Sequence, residues 1–75
     1  MIGNNIKKYR LLSGISQKEL GEKLNVSSDI IKMYEEEFMV PDSECLIEIA
    51  KLFKIKVADL FETYDLSLTK LKDRN

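Results

Sequence analysis

The polar residues able to do chemistry crowd into one stretch, Ser16 to Glu36, with the sequence SQKELGEKLNVSSDIIKMYEE. Ser16 is followed three residues later by Glu19. At that spacing the serine oxygen takes an orphan backbone N–H and the glutamate reaches back to the serine's own N–H, a capping box. Leu20, Gly21 and Leu24 then share one helical face. Asn25 and Val26 break the run, Ser27 can cap a second helix, and Ile30, Ile31 and Tyr34 are that helix's apolar positions. The pattern is helix, tight turn, helix. Gly21 keeps the first helix narrow where the two cross. The chain has no histidine and a single cysteine, Cys45. No nucleophile–base pair and no cofactor loop is visible, so an enzyme is not expected. A disulfide framework and a cysteine/histidine zinc site are excluded. The hydroxyl, amide and charged side chains that remain suit non-covalent recognition.

The flanking sequence supplies the elements that position this stretch. A first helix is expected from Gly3 or Asn4 to Ser13, with Ile2, Ile6 and Tyr9 on one face and Gly14 as a left-handed stop. The next two helices span about Gln17 to Leu24 and Ser28 to Glu36. After Pro41, Asp42 can cap a fourth helix, about Ser43 to Phe53, whose inward stripe is Leu46, Ile49, Ala50 and Phe53. A short fifth helix, Val57 to Phe61, closes the core, to which Tyr34 and Phe61 are also assigned. Cys45 reads as a small, part-buried hydrophobe.

Seventy-five residues make one small domain, near the lower size at which a single core suffices. Apolar residues are 44% and charged residues 33%, which is a globular composition. No apolar run approaches the ~20 residues that span a bilayer, and no signal-peptide pattern opens the chain. A cytoplasmic protein without a membrane partner is expected. The net charge is −1, but it is unevenly spread. Residues 1–15 carry +3, residues 16–37 carry −3, residues 38–61 carry −1, and residues 62–75 balance. The helix-turn-helix stretch is the most acidic part of the chain.

These residues together resemble the Cro/repressor type of helix-turn-helix, also called the xenobiotic-response-element type. The resemblance runs without a gap from Ile2 to Phe61. It rests on Ile6, Tyr9, Arg10, Gly14-Ile15, Ser16-Gln17, Glu19-Leu20-Gly21 (usually alanine in the family), Leu24 and Val26-Ser27. It continues through Ile31, Tyr34-Glu35, Pro41, Leu46, Ile49-Ala50-Lys51, Ile55, Val57 and Asp59-Leu60-Phe61. It implies an all-α, five-helix, lambda-repressor-like DNA-binding domain over residues 1–61, followed by a C-terminal tail, 62–75.

The resemblance also implies a site. The third helix of the family enters the major groove of double-stranded DNA. Ser28, Asp29, Lys32 and Met33 stand at its base-reading positions. Ser28 can donate or accept at a base edge, and Asp29 can accept from a cytosine amino group. Lys32 can reach guanine or phosphate, and Met33 can touch a thymine methyl. Ser27 caps this helix and is counted among the DNA-contacting residues, and Gln17 matches the phosphate-contacting glutamine at the start of the second helix, beside Lys18. Lys7 and Lys8 suit either a solvated face or phosphate contact. Arg10 and Glu35 stand at the family's paired positions as a structural ion pair. The loop after the third helix departs most. The family places glycine and polar or basic residues there, and this chain has Glu36-Glu37-Phe38-Met39-Val40. Glu37 lacks glycine's ease in the left-handed conformation, a cost of ~1 kcal/mol. Both carboxylates would repel phosphate. The apolar triplet either folds under the fourth helix as extra core or stands out as a partner surface. Lys54 and Lys56 likewise lack the usual glycine stop and serine cap, so a less rigid junction is expected.

In the tail, Tyr64, Leu66 and Leu68 alternate with polar residues, as in a strand that would need a partner copy. Leu68 and Leu71 fit a short helix equally, and a frayed end is a third possibility. The expected function is a sequence-specific DNA-binding transcriptional regulator acting as a homodimer, without cofactor. The alternative is a protein-interaction module on the same fold, with a protein partner.

Overall fold

A computed structural model describes residues 1–62 of the chain. It has four α-helices, α1 (Ile2–Leu12), α2 (Gln17–Leu24), α3 (Ser28–Glu35) and α4 (Ser43–Phe53), then a 3₁₀ turn, Val57–Leu60. The all-α expectation holds, with the fifth helix reduced to that turn. α1 starts at Ile2, earlier than the sequence suggested, and ends at Leu12 before Gly14. The alternation at Tyr64, Leu66 and Leu68 lies outside the described residues. None of the described helices is long and apolar enough to cross a membrane.

Each element contributes one fully buried side chain to a common core: Ile6, Leu20, Ile31, Ile49 and Leu60. Tyr34, Leu46 and Ala50 complete it, and Ile2, Leu24, Val26, Ile30, Phe53 and Val57 pack around its rim. Tyr9 stacks on Phe53 with ring centroids 6.1 Å apart, joining α1 to the end of α4. Burying an aliphatic side chain of this size stabilises by roughly 1.5–3 kcal/mol. The expected core position of Phe61 is corrected: this ring is 53% exposed. The closing turn is 3₁₀, with three residues per turn, so Val57 and Leu60 fall on the same side and take the inward place. Cys45 is half-buried, and burial pushes its thiol upward, against a hydrogen bond with Tyr34 that pulls it down.

All four helices close in the same way. The left-handed residues are Gly14, Asn25, Glu37 and Lys54. After each, the next backbone N–H returns to the helix: Ile15 to Arg10, Val26 to Gly21, Phe38 to Met33, and Ile55 to Ala50. This is the Schellman arrangement, which satisfies carbonyls left open at a helix end. Glycine occupies only the first position. Asn25 tolerates it through its short polar side chain, whereas Glu37 and Lys54 carry the full Cβ penalty. The helix starts are equally explicit. Ser16 and Glu19 form the reciprocal box, Ser27 accepts from Ile30 N–H, and Asp42 accepts from Cys45 N–H. Lys56 has no capping oxygen, and the Asp59 carboxylate accepts its N–H at 3.0 Å instead.

Candidate nucleic-acid interface

The geometry is set by how α3 is held. Its inward residues Ile31, Tyr34 and Glu35 are buried. Glu35 is the anchor. Arg10 Nε donates to its Oε2 at 2.6 Å and Nη2 to its Oε1 at 3.1 Å. The third guanidinium nitrogen used, Nη1, donates to the Ile15 carbonyl at 2.9 Å. Gln17 Nε2 also donates to Glu35 Oε1, at 3.0 Å. One buried carboxylate therefore ties α1, the turn after it, the start of α2 and the end of α3. A buried ion pair is stable only when its remaining donors and acceptors are satisfied, and no buried side-chain polar atom among the described residues lacks a partner.

α2 and α3 approach closely because Gly21 has no side chain. A Cβ there would lie 2.6 Å from the Val26 carbonyl oxygen, in the turn itself. The contact that demands a small residue is thus with the turn backbone, a nearer neighbour than the opposing helix. The Ser16–Glu19 box fixes the start of α2. Donation from the Ser16 backbone N–H, then its hydroxyl, holds the Glu19 carboxyl below its ordinary range.

With the inward face so held, Ser28, Asp29, Lys32, Met33 and Glu36 are exposed. Residues 29, 32, 33 and 36 follow helical spacing and make one outward stripe. Ser27 is also exposed, its hydroxyl used as the cap. Asp29 takes no hydrogen bond from a described residue, so its carboxylate is open to an outside donor. Lys7, Lys18 and Lys32 are exposed, and the one ion pair among the described residues is Arg10–Glu35. Lys8 lies over the Tyr9 ring, its ammonium 4.6 Å from the centroid. Gln17 is half-buried and turned toward Glu35, which the phosphate role implied for it did not anticipate.

The loop after α3 has no backbone grip to offer at Glu37, Phe38 or Met39. Glu37 N–H returns to the Tyr34 carbonyl, and Phe38 and Met39 N–H both return to the Met33 carbonyl. Phe38 and Val40 are 73% and 69% exposed, so the triplet does not fold under α4 as extra core. The sequence reading also missed Asn5. Its Nδ2 is buried and donates to the carbonyls of Leu60 and Glu62 at 2.7 and 2.6 Å, fastening the closing turn to α1. An asparagine on the apolar side of the first helix was the available signal.

A helix-turn-helix family model matches residues 6–60. The HTH-type transcriptional regulator ImmR of Bacillus subtilis is 32% identical over 54 residues, which are 72% of this chain and 42% of that protein. This chain thus matches less than half the length of ImmR. An uncharacterised HTH-type transcriptional regulator of Methanocaldococcus jannaschii is 36% identical over 58 residues, 77% of this chain and 88% of the relative. Among solved structures, the P22 c2 repressor in complex with a synthetic operator superposes with a TM-score of 0.76 at 27% identity. That alignment covers 80% of this chain and 91% of the repressor chain. Motif, packing and comparisons agree: this chain belongs to the Cro/repressor-type helix-turn-helix family.

Proposed function

We propose that this chain is a sequence-specific DNA-binding transcriptional regulator that acts in the cytoplasm as a homodimer and catalyses no reaction. The observation that carries this reading is the exposed stripe of α3 over a face locked by Arg10, Glu35 and Gln17. A reading helix must be held rigidly while its outer side chains stay free. The P22 c2 repressor was solved on an operator, and the same placement here would put α3 in the major groove. Asp29 would take a cytosine amino group, Met33 a thymine methyl, and Ser28 a base edge. Lys7, Lys18 and Lys32 would meet phosphates, helped by the free N–H groups at the start of α2. Two copies would read half-sites about one turn, ~34 Å, apart. Residues 62–75 would contribute the dimer contact: deleting 63–75 should move the sedimenting species from dimer to monomer, and an unchanged mass would remove the tail from the interface.

The test is selection of bound duplexes from a random pool, followed by variants. Asp29→Ala should relax preference at one base position at a cost of ~1–3 kcal/mol. Lys32→Ala should weaken all sequences alike and lower the salt slope by about one. Failure to enrich any sequence counts against sequence-specific reading. A second reading, a protein-interaction module on the same fold, is favoured by the exposed Phe38 and Val40 beside Met33. It predicts that Phe38→Ser abolishes capture of a partner while no duplex binds.

A further inference from the structure

The start of α1 meets the exit of α3 at a contact that neither the core nor the reading stripe explains. α1 has no cap of its own: Met1 precedes it, no side chain bonds there, and its first turn holds no acid. Instead Asn4 N–H donates to Glu37 Oε2 at 3.3 Å, across 33 residues of sequence. Two backbone features allow this. Glu37 stands at φ 67°, which sends its side chain off the axis of α3. Gly3 has no side chain, and a Cβ there would lie 2.9 Å from the Glu37 carboxyl carbon and press on the Tyr34 and Glu35 carbonyls. An anionic oxygen at the third N–H of a helix is where a cap belongs, and the helix dipole favours it there.

We propose that Glu37 is a positioning residue whose carboxylate is the N-cap that α1 lacks. It fastens the exit of the reading helix to the start of α1. One consequence rests on the DNA reading above: with Glu37 engaged internally, Glu36 is the carboxylate of the pair that opposes an incoming phosphate. Lys54 is the control, because it occupies the same left-handed position after α4 while its side chain has no hydrogen-bond partner among the described residues.

The experiment compares Glu37→Gly, Lys54→Gly, Glu37→Gln and Glu36→Gln in the full chain. Lys54→Gly should raise the melting temperature, since glycine relieves the strained position. Glu37→Gly should raise it less or lower it, and should speed amide exchange at Asn4 about three- to tenfold; Lys54→Gly and Glu36→Gln should leave that amide unchanged. Equal melting gains for both glycine variants, with Asn4 exchange unchanged, would overturn the proposal. Against duplex DNA at low salt, Glu36→Gln should tighten binding about two- to fivefold through removal of one opposing charge. Glu37→Gln should not tighten it, and equal tightening by both would also overturn the proposal. Should the wild-type chain bind no duplex, the DNA reading falls, while exchange at Asn4 and the melting comparison still decide the cap.

Discussion

At the scale of single residues, Glu35 and Gly21 bear the sharpest consequences. Glu35 accepts from two nitrogens of Arg10 and from Gln17, and both members of the ion pair are buried. Arg10→Met should therefore cost about 3–5 kcal/mol, because it leaves a carboxylate buried without its cation. Adding Glu35→Leu should recover much of that loss. Urea melts of the three proteins measure it, and additive losses would contradict the buried pairing. Gly21→Ala should cost about 1–3 kcal/mol by forcing Val26 away, although alanine is usual at this position in the family. A neutral result would show that the turn yields freely. The meeting of Arg10 with Glu35 was legible from the family pattern. The share of Gln17 in it was not, since no spacing rule links an amide to a carboxylate eighteen residues on. Asn5 stayed hidden for the same reason: its partners are backbone carbonyls more than fifty residues away.

At the scale of elements, α2 and α4 begin and end where the sequence places them, and α1 departs most, starting at Ile2 rather than Gly3 or Asn4. Ser16, Ser27 and Asp42 all act as the caps their residue types suggest, because an N-cap is a local side-chain contact. The left-handed closing positions are less local, since two of the four hold Glu37 and Lys54, residues with no preference for that conformation. There tertiary packing overrides local propensity. Phe61 lies outside the core because the closing turn is 3₁₀, and three residues per turn put Val57 and Leu60 on the inward side. The Ser16–Glu19 box makes a pH prediction. The Glu19 carboxyl is held below its ordinary range by the Ser16 backbone N–H and hydroxyl, so its contribution is present above that range and is lost as pH falls through the lowered folded-state value. The melting difference between wild type and Glu19→Gln should therefore shrink on acidification below about pH 4.5. A difference that grows instead would mean that the carboxylate is not the form the box stabilises.

At the scale of the whole molecule, charge and fold pull in different directions. The net charge is −1, and the acidic residues gather on the helices that face the proposed groove. The structure narrows this conflict. Of the six acids between residues 16 and 37, Glu35 is buried in the ion pair, Glu19 is held in the capping box and Glu37 lies against the start of α1. Those partners are what a count of charges along the sequence cannot reveal. Binding would then depend on Lys7, Lys18 and Lys32 with the open end of α2. Each neutralised phosphate contributes close to one unit to the slope of log affinity against log salt. The most direct measurement is a polarisation titration of the full chain against duplex DNA across a range of salt. The account predicts a complex at low salt whose affinity falls with a slope of roughly −3 per subunit, reduced by about one in Lys32→Ala. No complex at low salt, or an affinity indifferent to salt, would contradict it.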